Sequence, residues 1–323
     1  MEELLKVQEL KKYFPVKRGL FIRQQKWLHA VDGVSFEVSK KKVFGLVGES
    51  GCGKTTIGRA IVKLTDPTYG HIYLNGKDTV QLDEEGLKDF RKNVGMIFQD
   101  PYESLNPRFT ILDSVKEPLD VHETMSKEEK VRKVIFMLKD VGLEPTREFL
   151  KRYPHELSGG QRQRIAMARA LIVNPRIVVA DEPCSMLDVS IRAGMMNLML
   201  KLKEEFGLSL IYITHDLSEA RHITDFMAVM YLGKIVETGV TEDLIENPHH
   251  PYTKALISAV PDVDPDIERE RIKLFGDIPT PVDLPPGCRF CSRCPYAADI
   301  CKRKEPEYRD LGNGHLVACH HLF

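Results

Sequence analysis

Eight residues, Gly48-Glu-Ser-Gly-Cys-Gly-Lys-Thr55, confine this chain to a narrow set of folds. They match G-x-x-x-x-G-K-[ST], a loop whose backbone N–H groups turn inward around phosphate oxygens. Side chains at Gly48, Gly51 and Gly53 would obstruct that nest. Lys54 faces the β- and γ-phosphates, and Thr55 offers a hydroxyl to Mg²⁺. Residues 43–47 read as a buried strand and 55–64 as a helix, so a helix N-terminus points at the anion. Gly48, Glu49, Ser50, Gly51, Cys52, Gly53, Lys54, Thr55 and Thr56 are the candidate phosphate-binding residues. The strand before this loop and the helix after it make the local pattern α/β.

The chain is long enough, at 323 residues, for one large domain and an extension. Its formal net charge of −1 gives no drive toward nucleic acid. The sequence holds no apolar run of ~18 or more residues, so no membrane span is expected. The start, Met1-Glu-Glu-Leu-Leu-Lys, lacks a signal-peptide pattern, and a cytosolic location is expected. Cysteine use is uneven. Cys52 and Cys184 stand alone, whereas Cys288, Cys291, Cys294, Cys301 and Cys319 crowd the C-terminus. In a cytosolic chain such a cluster points to metal rather than to disulfides.

Residues 4–12, 31–38 and 71–77 read as short strands, with Asn75-Gly76 as a turn. A strand over 94–98 ends at Gln99. From about 100 to 155 the pattern turns helical and polar, clearest at 131–141. A second αβ stretch covers 157–240. Its runs at 177–180 and 210–213 are continuously apolar, as parallel strands covered on both faces require. A strand at 226–231 and a turn at Gly233 close it. Residues 247–251 and 279–286 read as linker.

The strand at 177–180 ends in Asp181-Glu182. The first carboxylate suits a Mg²⁺ shell, and the second suits a water in line with the γ-phosphate. Alone, such a pair is a solvated strand end. Its place after a complete phosphate loop gives it meaning. Ser158 and Gln161 have capping-box spacing ahead of a helical run. A capped helix start opened by Gly159 and Gly160 is a second phosphate site, which points to a sandwich dimer in which each subunit completes its partner's site.

The set Gly48–Thr55, Gln99, Leu157-Ser-Gly-Gly-Gln161, Asp181-Glu182, Ser185-Met-Leu-Asp188 and Ile213-Thr-His-Asp216 resembles the nucleotide-binding subunit of an ATP-binding-cassette transporter. The resemblance spans 1 to about 240. It implies a RecA-like P-loop core, an antiparallel β subdomain and a helical subdomain at about 100–155. It also implies that Gln99 senses Mg²⁺ and reports to membrane subunits, that Ser158, Gly159, Gly160 and Gln161 contact ATP on the opposite subunit, that His215 holds the γ-phosphate and the attacking water, and that Tyr13 stacks on adenine. The catalytic set is then Glu182, His215 and Gln99, with Mg²⁺ held by Thr55, Gln99 and Asp181. Cys184 stands where Thr is usual, and Met186 where Ala or Gly is usual.

The tail, 241–323, is similar to the C-terminal extension of oligopeptide/dipeptide importer ATPases. The matching stretches are His250-Pro-Tyr-Thr-Lys-Ala-Leu256, Pro286-Gly-Cys-Arg-Phe290 and Arg293-Cys-Pro-Tyr-Ala297. The resemblance implies a [4Fe–4S] cluster on Cys288, Cys294, Cys301 and Cys319. Four thiolates also suit Zn²⁺, and Cys288, Cys291 and Cys294 alone have a ferredoxin-like spacing, so the ligand set stays open. His315, His320 and His321 read as solvated.

The expected function is ATP hydrolysis that drives import of oligopeptides or dipeptides. In this family the cargo is also an oligosaccharide or nickel. The expected partners are a second ATPase subunit, identical or related, two integral membrane permeases and an extracellular substrate-binding protein, with the chain on the cytoplasmic face of the membrane. A soluble cassette protein acting on nucleic acid would show paired cassettes or a basic patch, which this sequence lacks. A redox-sensing metalloprotein is the third reading.

Overall fold

The computed structural model describes residues 2–16, 26–260, 272–277, 279–282, 284 and 286–321. Its strands are β1 (Glu3–Val16), β2 (Lys26–Ser39), β3 (Val43–Val47), β4 (Tyr69–Leu74), β5 (Lys77–Asp78), β6 (Val94–Ile97), β7 (Ile177–Asp181), β8 (Ser209–Thr214), β9 (Phe226–Tyr231), β10 (Lys234–Val240), β11 (Arg309–Asp310) and β12 (Leu316–Val317). Two compact units divide the chain. One comprises residues 1–3, 38–43 and 81–213, and the other 4–37, 44–80 and 214–323.

In the first unit β6, β7 and β8 run parallel, with Ile97 opposite Ala180 and Asp181 opposite Ile213. Every residue of β7 and β8 is buried, the outcome that unbroken apolar runs dictate for strands covered on both faces. The helical stretch resolves into short helices. Thr110 caps Ile111–His122, and Ser126 with Glu129 closes a capping box on Lys127–Asp140. Both pack on helix Gly159–Leu171. Arg169 of that helix bonds the Ser104 carbonyl and Glu117, each at 2.8 Å. Helix Glu84–Asn93, capped by Asp83, is absent from the sequence expectations, because its single buried residue, Phe90, gives almost no apolar stripe.

In the second unit β2, β1, β4 and β5 form one sheet. Asn75 and Gly76 both have positive φ, at 49° and 75°, as the tight β4–β5 hairpin needs. β3 pairs parallel with β9, which continues antiparallel through β10 and β12 to β11. The linker expected at 247–251 is instead a helix start. His250 caps helix Pro251–Ser258, and both His250 and Tyr252 are buried. The linker expected at 279–286 falls partly outside the described residues, and within it Leu28 pairs with Val282. Among the described residues no helix is long and apolar enough to cross a membrane.

Candidate active site

The phosphate loop leaves β3 and enters helix Lys54–Ile61. Lys54 is buried, and its ammonium bonds the carbonyls of Gly48 at 2.6 Å and Glu49 at 3.1 Å. Gly53 is the N-cap of this helix and supplies no side-chain cap, so an anion has the place of the missing acceptor. Two glycines are required for a reason other than the one inferred from the sequence. A Cβ on Gly48 would stand 2.2 Å from the Met230 carbonyl, and one on Gly53 would stand 2.2 Å from the Ala30 carbonyl. They make room for the backbone behind the loop rather than for the phosphate in front. That backing is a run of main-chain bonds, from Gly233 N–H to Cys52 and from Asp32 N–H to Gly233. Gly51 has open space around it and a φ of +80°. Ser50 is exposed, Cys52 buried, and Thr55 and Thr56 half-buried.

Tyr13 lies in the same unit. Its ring centroid is 4.2 Å from that of His29, and its hydroxyl donates to Asp32. Burial and the Asp32 carboxylate push the Tyr13 hydroxyl well above its ordinary pKa. Burial opposes ionisation of Asp32, but the Tyr13 hydroxyl, Arg289 and Lys234 outweigh it and hold the carboxyl below its usual range. Arg289 also bonds the Leu232 carbonyl. His215 is exposed at the end of β8, followed by Asp216, whose carboxylate caps helix Leu217–Ile223.

In the other unit β6 and β7 deliver the expected carboxylates and glutamine. Asp181 is buried at the end of β7. Glu182 follows with φ +43°, and its N–H bonds the Ile213 carbonyl at 2.9 Å. Gln99 Nε2 donates to Glu182 Oε2 at 3.1 Å. Ser158 caps helix Gly159–Leu171 in the predicted reciprocal arrangement, with Gln161 N–H to Ser158 Oγ at 3.3 Å and Ser158 N–H to Gln161 Oε1 at 3.0 Å. Ile191 lies 3.6 Å from where a Gly160 Cβ would stand. Met186, Val189 and Ile191 are exposed although apolar, whereas Cys184 is fully buried.

The sequence leads one to expect a metal centre on the tail cysteines Cys288, Cys291, Cys294, Cys301 and Cys319. All five are free thiols, and no three His, Cys, Asp or Glu among the described residues are placed to hold one ion. Burial pushes the Cys288 thiol up to about 12, and the neighbouring Cys301, Cys319 and Cys294 add to this. His315 is a further correction. It is buried, and its Nε2 pairs with Glu237 at 2.8 Å. The sequence reading missed Asp32, Arg289, Tyr252 and Arg293. Arg293 stood in a quoted motif, but nothing in its spacing says that it returns to residue 49.

The profile of the ABC transporter family matches residues 31–185, and that of the oligopeptide/dipeptide transporter C-terminal region matches 236–301. The oligopeptide transport ATP-binding protein AppF of Bacillus subtilis is 50% identical over 99% of this chain and 97% of its own. This chain belongs to the ABC transporter family. Another member, the dipeptide transport ATP-binding protein DppF of Escherichia coli, is 47% identical over 98% of this chain and 94% of its own. Among solved structures, the dimeric ATP-binding cassette MJ0796, in a post-hydrolysis state with ADP and Pi, is similar at a TM-score of 0.65. It is 32% identical over 74% of this chain and 99% of its own.

Proposed function

We propose that this chain is the ATP-hydrolysing subunit of an importer of the oligopeptide/dipeptide type. One observation carries the reading: a transporter cassette at 31–185 is followed in the same chain by the oligopeptide/dipeptide C-terminal region at 236–301. Residues 1–240 are taken as the nucleotide-binding part and 241–323 as the extension. Lys54 and the loop amides hold the β- and γ-phosphates, and Tyr13 receives the adenine. Thr55, Gln99 and Asp181 hold Mg²⁺, which offsets charge on the transferred phosphoryl group. Glu182 takes the proton of the attacking water, and His215 orients that water against the γ-phosphate.

The partner completing the site is a second ATPase subunit. The apolar, exposed Met186, Val189 and Ile191 beside the Gly159–Gly160 helix start support this, since such a face gains by being covered. Exposed Tyr102, Phe109, Val121 and Phe136 of the helical stretch support contacts with two membrane permeases at the cytoplasmic face. An extracellular substrate-binding protein would deliver the cargo. Reconstitution with the permeases tests the whole. ATP-driven peptide uptake is expected, and ATP hydrolysis without uptake of any peptide would refute the cargo assignment.

The finer reading of the tail is a centre held by Cys288, Cys294, Cys301 and Cys319, iron–sulfur ahead of zinc. Its support is that the Cys288 thiol, raised first by burial, is raised further by its neighbours Cys301, Cys319 and Cys294. Iron or zinc in anaerobic protein, retained in C291S and lost in C288S, is the expected result. Protein with neither metal overturns it.

A further inference from the structure

Glu49, the second residue of the phosphate loop, is gripped by two residues from the C-terminal part of the chain. Arg293 meets its carboxylate in a fork, Nη1 to Oε2 at 2.7 Å and Nη2 to Oε1 at 3.1 Å. The Tyr252 hydroxyl accepts the Glu49 N–H at 2.9 Å. Both holders are buried, Arg293 at 7% exposure and Tyr252 at 0%. The Arg293 guanidinium lies 5.8 Å from the Tyr231 ring centroid. Tyr231, Tyr252 and Phe290 pack together with centroids 4.8 to 5.3 Å apart, so the fork is presented by a rigid aromatic cluster. The third link is Lys54, whose ammonium bonds the Glu49 carbonyl.

A carboxylate on this loop is adverse to a polyphosphate. Like charges within a few ångströms repel, and partial burial weakens the screening. A bidentate guanidinium cancels the charge and fixes its direction, which a lysine at the same place would do only in part. We propose that Arg293 is a positioning residue for nucleotide binding: its pairing with Glu49 fixes the entrance of the phosphate loop and cancels a carboxylate that would otherwise repel the incoming triphosphate. The proposal rests on the assignment of residues 48–55 as the ATP phosphate site. It gives the extension a direct part in ATP affinity, independent of any metal on the cysteines.

The test is MgATP affinity of the full chain by titration, with thermal unfolding measured alongside. R293A is expected to weaken binding on the order of tenfold, the scale of a hydrogen-bonded charge pair. The double variant E49Q/R293A is expected to return to within ~3-fold of wild type, because the uncancelled charge is gone. A merely structural arginine would show no such rescue. Unchanged affinity in R293A, or a double variant no better than R293A, overturns the proposal. Should R293A not fold, R293K decides. An intermediate loss recovered by E49Q supports the fork, and wild-type affinity refutes it. Wild-type protein that fails to bind MgATP, or K54A that binds it equally well, overturns the phosphate-site assignment itself.

Discussion

Gln99 Nε2 donates to Glu182 Oε2 at 3.1 Å, tying the residue beyond β6 to the residue after β7. The bond holds the Glu182 carboxylate in place through a neutral amide. E182Q is therefore expected to bind MgATP as wild type does and to lose at least ~10²-fold in turnover, the usual scale for a general base. Single-turnover hydrolysis measures it. Near-normal rates would remove Glu182 from the catalytic role.

K54A deletes the ammonium that sits on the Gly48 and Glu49 carbonyls. Loss of MgATP binding is expected, on the order of 10-fold or more for a buried charge-assisted contact. Calorimetric titration checks it, with circular dichroism to show an intact fold.

Ser158 is exposed at a capped helix start, with apolar Met186 and Ile191 exposed nearby. S158R places bulk on the face assigned to a second subunit. ATP binding to the monomer should persist while ATP-dependent dimerisation, read by light scattering in the E182Q background, disappears. A dimer formed by S158R would contradict the sandwich arrangement.

His250 gives an acid-sensitivity prediction. Burial lowers its pKa from 6.5 to about 4 against the opposing pull of the Glu237 carboxylate, and its Nδ1 accepts the Tyr252 N–H at the helix start. The folded state then binds fewer protons than the unfolded state between those two values, so stability falls as pH drops from 6.5 toward 4. The loss by pH 5 is about 2 kcal/mol. H250N keeps a side-chain acceptor without titrating. Its unfolding free energy should vary less between pH 7 and pH 5, as measured by urea titration. An identical slope in both proteins would sink the assignment.

The strand, loop and helix around residues 48–55 and the Ser158–Gln161 capping box were legible in the sequence because glycine and cap spacings are local. The parallel strands were legible because burial on both faces leaves unbroken apolar runs, as at 177–180. What stayed hidden depends on chain returns. Glu237 is fully buried in a strand that reads as ordinary, and it collects the N–H groups of His249 and His250 and the ring of His315. Asn247-Pro-His-His-Pro251 has linker composition, yet those bonds pull it into a core. No local rule pairs residue 49 with residue 293, since 244 positions separate them.

The pairing of β3 with β9 sets an order of events during synthesis. β3 ends at Val47, and its partner begins at Phe226. Tyr252, Arg293 and the edge-covering β12 leave the ribosome later still. The strand that carries the phosphate loop is thus made early and must wait for more than half the chain before its sheet closes. Contacts of such long range are slow to form, and an unpaired strand edge invites association with other chains. The loop after β3 gains its side-chain holders only once Tyr252 and Arg293 have been made, 203 and 244 positions after Glu49.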